Sequence, residues 1–218
     1  MSWQKIWRSR VAPQELNNSL QNLIYLDGFD TGISRISESV WREGTIKIAD
    51  KLGINNNDSI FEFGCGSGAF LKALNDYKNI NGGGLDISSS LLNIAKQSLP
   101  HMNFYHEEAA VAKNIPLADF TIAHSVFQYF NLEYAERVID NMFKNSNRAL
   151  AILDIPNLEM QSQCEFERQK QNNFLSHQYY STAWFNNQAN KYITKCEIIN
   201  NHLNYPQSKF RFGCIFWK

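Results

Sequence analysis

The chain has 218 residues, 44% of them hydrophobic and 13% aromatic, enough for one domain with a substantial core. Its 21 basic and 21 acidic side chains cancel to a formal net charge of zero, so no global field draws nucleic acid or an anionic membrane. The four cysteines (65, 164, 196 and 214) form no CxxC pair, which argues against a zinc site and a secreted disulfide scaffold; no metal is expected. The opening MSWQKIWRSR lacks the apolar stretch of a signal peptide, and no run is long enough for a membrane span. A cytoplasmic protein is expected.

In chain order, residues 14–26 carry leucines and isoleucine at helical spacing, including Leu16, Leu20, Leu23 and Ile24. LDGFDTG then breaks the pattern as a loop. Ser37 or Ser39 can cap the next helix, which Gly53 stops. A strand is predicted over 59–63, then a glycine bend and a helix through Leu74. A second strand covers 80–87 with its glycines at the edge of the run, and SSS at 88–90 caps a helix ending near Leu99. Short strands follow at 101–106 and 120–125, a helix at 132–145 and a strand at 149–155. Residues 158–175 read as an exposed polar helix, 181–190 as a further helix, and 192–201 and 209–217 as two closing strands joined without a helix. Strands alternating with helices imply a parallel sheet covered on both faces, with an antiparallel pair at its end.

The bend reads IFEFGCGSGAF, residues 60–70, and it lies at the carboxyl end of the first strand, where α/β sheets bind ligands. Gly64, Gly66 and Gly68 allow a tight turn and close approach to an adenosine or methionine moiety. Asp86, 20 residues after Gly66, is placed to accept both hydroxyls of a ribose. Gly64-x-Gly66-x-x-Ala69 with Asp86 also satisfies a dinucleotide fingerprint. The carboxylate of Glu62, two residues before the first glycine, would repel a pyrophosphate and suits a ligand carrying ammonium and sulfonium groups. A plain strand-to-helix turn is the structural alternative.

FEFGCGSG resembles the E/D-x-G-x-G-x-G motif of class I S-adenosylmethionine-dependent methyltransferases. GGGLDIS resembles their second motif, and EEAAVAKNIPLADFTIAHSVFQYF their third and fourth, so the resemblance spans about residues 58–155. It implies a Rossmann-like, seven-stranded α/β sheet, mostly parallel with a C-terminal antiparallel hairpin and helices on both faces. The whole chain, 1–218, would be a single domain, with 1–52 as N-terminal helices and lid, 53–156 as cofactor core and 157–218 as acceptor cover and hairpin. The implied cofactor is S-adenosylmethionine. Gly64, Cys65 and Gly66 would line its methionine and ribose, Asp86 would hold the ribose and Ile87 would stack on adenine. Glu108 and Ala109 would read the adenine edge, with Glu107 the alternative one residue earlier. His124 and Ser125 would stand closest to the transferred methyl.

The implied activity is O- or N-methylation of a small organic molecule, with His124, Asp154 and Tyr129 as candidate bases. A catalytically silent S-adenosylmethionine-binding subunit or regulator is the alternative. A lone histidine at a strand end is often structural, and Asp154 can equally bind the acceptor or cap a turn. Trp3, Trp7, Tyr25, Phe29 and Trp41 can form a lid or a hydrophobic staple, and His177, Tyr179, Tyr180 and Trp184 suggest an acceptor pocket with aromatic walls. No basic, aromatic-interleaved surface marks the chain for nucleic acid.

Overall fold

A computed structural model describes residues 3–10, 18–171 and 176–218 of the chain. Seven strands form one sheet in the order β3-β2-β1-β4-β5-β7-β6. They are β1 (Ser59–Phe63), β2 (Asn81–Asp86), β3 (Asn103–His106), β4 (Ala118–His124), β5 (Ser146–Pro156), β6 (Lys195–Asn200) and β7 (Arg211–Trp217). β1 to β5 pair in parallel, and β7 runs antiparallel to both β5 and β6. The Rossmann-like sheet and its terminal antiparallel pair are therefore as expected. β7 inserts between β5 and β6, so the last strand of the chain is interior and β6 forms the edge.

The central strands are apolar nearly throughout because both of their faces are covered. Successive side chains point to opposite sides. Ile60, Ile122 and Ala151 join one core with α2 (Leu20–Leu26), α3 (Glu38–Leu52), α4 (Ala69–Lys78) and α5 (Ser89–Ser98). Phe61, Phe63 and Leu150 join the other core with α6 (Leu132–Lys144) and α8 (Thr182–Lys191). The helix after β1 thus packs on one face and the helix after β4 on the other. The crevice between these neighbouring strands opens at their carboxyl ends, the usual ligand position in such sheets.

Side-chain oxygens of Ser19, Ser37, Ser88, Asn131 and Ser181 accept from the first helical turns of α2, α3, α5, α6 and α8. Ser37, not Ser39, caps α3, and Gly53 ends it in the left-handed conformation. The first expected helix begins at Leu20; its forecast start over 14–17, with Leu16, lies outside the described residues.

Two expectations need correction. Gly82, Gly83 and Gly84 lie inside β2, paired with β1 on one side, rather than at its edge. The predicted exposed helix over 158–175 begins as a short turn, Leu158–Met160, followed by α7 (Gln161–Gln169), and its forecast end over 172–175 lies outside the described residues. Cys164 and Arg168 of α7 are buried, and Cys164 packs with Tyr179 and Phe210, partners its own sequence neighbourhood does not reveal. A further short helix, α1 (Trp3–Arg8), lies across the carboxyl side of the sheet through Trp3 and Trp7, and among the described residues no helix is long and apolar enough to cross a membrane.

Candidate active site

The bend after β1 is held in shape by β2. The N–H groups of Gly64 and Cys65 both donate to the Leu85 carbonyl, at 2.8 and 2.9 Å. Gly66 N–H donates to Asp86 Oδ2 at 2.9 Å, and Ser88 N–H donates to Asp86 Oδ1 at 2.8 Å. Gly64 and Gly66 have φ of 77° and 52°, conformations that side chains disfavour. A Cβ on Gly64 would stand 2.6 Å from Val126 Cγ1, and one on Gly66 would stand 2.3 Å from Asp27 Oδ1. Glycine at these two positions is what lets β4 and the end of α2 close on the bend.

Glu62 is 3% exposed, and its Oε2 is buried with no hydrogen-bond partner. Burial, and then the nearby carboxylates of Asp27 and Asp86, push its pKa well above the ordinary carboxyl range. Burial also raises Asp86, against the pull of the N–H groups of Ser88 and Gly66. Asp27, Glu62 and Asp86 thus converge on one side of a cleft, and an orphaned carboxyl among them suits a cationic ligand.

That cleft encloses about 700 Å3, part of it open to solvent. It gathers Glu62, Gly64, Cys65, Gly66, Asp86, Ile87, Ala109, His124, Ser125 and Tyr129 of the expected set. Gly68 does not line it but precedes α4 with φ of 84°. Glu107 lines the cleft, whereas Glu108 turns to an ion pair with Arg8. Of the candidate lid aromatics, Trp3, Trp7, Phe29 and Trp41 line it and Tyr25 does not. Trp3 stacks on Tyr129 with ring centroids 6.2 Å apart, and Trp7 meets Tyr129 edge-on at 5.7 Å. α1 is thereby fixed over the cleft by ring contacts.

His124, the last residue of β4, is boxed by the rings of Trp41 at 4.9 Å, His202 at 5.1 Å, Phe70 at 5.4 Å and Phe29 at 6.0 Å. Its Nε2 is buried without a partner. Burial lowers its pKa to about 4, although Asp154 pulls the other way, so the ring is neutral near pH 7.

Asp154 is differently placed. It accepts hydrogen bonds from Asn201 Nδ2 and Tyr205 OH, each at 2.8 Å, from Ser125 Oγ, and from Arg211 NH1 at 3.4 Å. Burial alone would raise its carboxyl, but Arg211, His124 and these hydrogen bonds hold it at about 2. It is an anion committed to four partners and does not line the cleft, which it meets only through the Ser125 hydroxyl. Of the residues expected to wall an acceptor pocket, Tyr180 is a core clamp: its hydroxyl donates to the carbonyls of Phe127 and Phe130. Tyr179 is buried beside Cys164, and Trp184 packs on Tyr180 and Phe185. Only His177 approaches the cleft wall, its ring 5.9 Å from that of Tyr129.

Asp27 is the site residue that motif reading missed. It reaches back from the end of α2 to accept from Ser67 N–H at 2.7 Å. Its only sequence signal is its place in the LDGFDTG loop.

Residues 61–151 match the family model described as a methyltransferase domain. That match lies on the strands and helices that build the cleft, and the seven-stranded sheet around it has the fold of S-adenosylmethionine-dependent methyltransferases. The chain is similar in fold to the magnesium protoporphyrin IX methyltransferase ChlM of Synechocystis PCC 6803, solved with bound SAH (S-adenosylhomocysteine). That match has a TM-score of 0.61 and 15% identity, and covers 97% of this chain and 91% of that one. A TehB-like SAM-dependent methyltransferase from Corynebacterium glutamicum gives a TM-score of 0.61 at 15% identity, over 80% of this chain and 87% of that one. The pyocyanin biosynthetic protein PhzM gives 0.62 at 12% identity, over 82% of this chain and 54% of that one. No curated protein matches the chain by sequence. S-adenosylmethionine, the cofactor of methyltransferases with this fold, fits the cleft on one observation: Glu62, whose Oε2 is buried without a partner, lines it beside Asp86, an acid set that suits a ligand carrying ammonium and sulfonium charge.

Proposed function

We propose that this methyltransferase methylates an oxygen of a small organic acceptor held in the aromatic cleft. The observation that carries the reading is the neutral imidazole of His124 in the same cleft as the unpaired acid of Glu62.

S-adenosylmethionine, when bound, supplies an electrophilic methyl group on a sulfonium. The chain's residues do the rest. Glu62 faces the cofactor's positive charge, Asp86 and Gly66 hold its ribose, and Glu107 with Ala109 meets its adenine beside Ile87. Gly64, Cys65 and Ser125 complete the bed. Trp3, Trp7 and Tyr129 exclude water over it, which favours productive alignment of the two reactants. As the acceptor oxygen gains carbon, its proton becomes far more acidic than a group of pKa about 4, so even the weakly basic His124 ring can take it. A methylated amine, with a pKa of about 10 like a lysine, would not yield its proton to that ring. This contrast supports oxygen over nitrogen. We also propose that the chain works as one domain, with residues 1–52 as lid and 157–218 completing the acceptor side. A small acceptor is further supported by the zero net charge, and it accords with similar folds named for a protoporphyrin and for pyocyanin biosynthesis.

The test is transfer of labelled methyl from S-adenosylmethionine to a panel of hydroxyl, carboxyl and amine compounds. Hydroxyl methylation that His124→Ala slows by about 100-fold, with cofactor affinity retained, is the expected result. Cofactor binding without transfer to any acceptor would make the protein a silent binder instead.

A further inference from the structure

Asp27 stands in front of the family-matched residues 61–151 and is supplied by the end of α2. Its Oδ1 accepts from Ser67 N–H at 2.7 Å and fills the place a Cβ on Gly66 would need. It lines the cleft beside Glu62, whose Oε2 is buried and unpartnered. Tying α2 to the start of α4 does not account for Asp27 lining the same cleft as a second acid whose Oε2 is unsatisfied. Two acids so placed cannot both ionise until a positive charge arrives between or beside them.

Resting on the S-adenosylmethionine reading above, we propose that Asp27 is a cofactor-positioning residue that couples binding to proton release: the Asp27–Glu62 pair gives up a proton when it receives a cationic ligand. The carboxylic acid O–H breaks, its electron pair stays on the carboxylate, and the proton leaves to solvent or buffer.

The groups facing Asp27 set the range in which this happens. Its pKa stands at about 7, raised chiefly by burial and also by Asp86 on β2, against the hydrogen bonds of Ser67 and the charge of Arg10 beyond α1. Glu62 on β1 is itself raised, partly by Asp27. The Cys65 thiol beside them is pushed well above its ordinary range and stays protonated, and His124 on β4 is neutral. Below about pH 7 the apo cleft therefore holds a proton on Asp27 that a bound cation displaces.

The experiment is calorimetric titration of the full chain with S-adenosylmethionine at several pH values, in two buffers of different protonation heat, for wild type and Asp27→Asn. The asparagine keeps an oxygen for Ser67 N–H. In wild type the heat is expected to depend on the buffer near pH 6.5, marking proton release. The ratio of wild-type to Asp27→Asn affinity is expected to rise about tenfold from pH 6 to pH 8, a comparison in which the ligand's own titration cancels. Buffer-independent heats in wild type, or an affinity ratio that is flat with pH, would overturn the proposal while leaving the methyltransferase reading intact. Failure of wild type to bind at any pH would overturn both.

Discussion

The carboxylate of Asp154 and the guanidinium of Arg211 meet at 3.4 Å with side chains only 1% and 2% exposed. Arg211 NH1 also donates to the Asp154 carbonyl at 3.0 Å and to Gln128 Oε1, so the pair knits β5, β7 and the loop after β4 together. Removing one partner leaves an uncompensated buried charge, which typically costs about 3–5 kcal/mol. Asp154→Ala is therefore expected to lower unfolding free energy by roughly that amount in a urea titration. A variant with normal stability and a selective loss of turnover would return Asp154 to the catalytic set.

Stability on the acid side follows from His124. Its folded pKa of about 4 lies below the ordinary 6.5, so the unfolded chain binds the proton more readily. The stabilisation is complete above about pH 6.5 and is lost as pH falls through about 4, a total of roughly 3 kcal/mol. His202, also buried and lowered well below its ordinary value, adds to the same slope. Urea midpoints measured from pH 7 to pH 4 should fall in wild type and fall less in His124→Phe. Equal slopes would show that His124 does not carry the dependence.

Glu107 and Glu108 are separable by exchange for glutamine. Glu107 lines the cleft, so Glu107→Gln is expected to weaken cofactor binding by about 1 kcal/mol, the scale of one hydrogen bond. Glu108 pairs with the half-exposed Arg8, and an exposed pair contributes about 0–1 kcal/mol to stability, so Glu108→Gln should leave cofactor affinity near wild type. The reverse pattern would assign the adenine edge to Glu108.

Asp86 holds Gly66 N–H and faces the cleft. Asp86→Ala is expected to weaken S-adenosylmethionine binding by about 1–3 kcal/mol while the protein stays folded. Unchanged affinity in a folded variant would remove the ribose assignment.

What the sequence made legible was the contiguous part of the site. Glu62, the glycines and Asp86 lie on two successive strand ends, so motif spacing and strand periodicity located them together. Longer-range partners left no such trace. Asp27 meets Ser67 across 40 residues, and Asp154 meets Arg211 across 57, pairings that only the packed sheet creates. The same reason explains α7: its polar sequence reads as a solvated helix, yet Tyr179 and Phe210 arrive from elsewhere to bury Cys164. Tyr180 looked like pocket wall because sequence gives aromatic content but not the direction of a hydroxyl, here turned to two backbone carbonyls. The choice between Glu107 and Glu108 depends on how the chain leaves β3, a matter of one residue that motif spacing does not resolve.

The most direct measurement is parallel calorimetric titration of the full chain with S-adenosylmethionine, S-adenosylhomocysteine and NAD. Micromolar binding of both sulfur ligands and none of NAD is the predicted result, because the buried acid of Glu62 can ionise beside a positive charge and has nothing to offer a pyrophosphate. Binding of NAD alone would contradict it, and would mean that the bend after β1 cradles a dinucleotide.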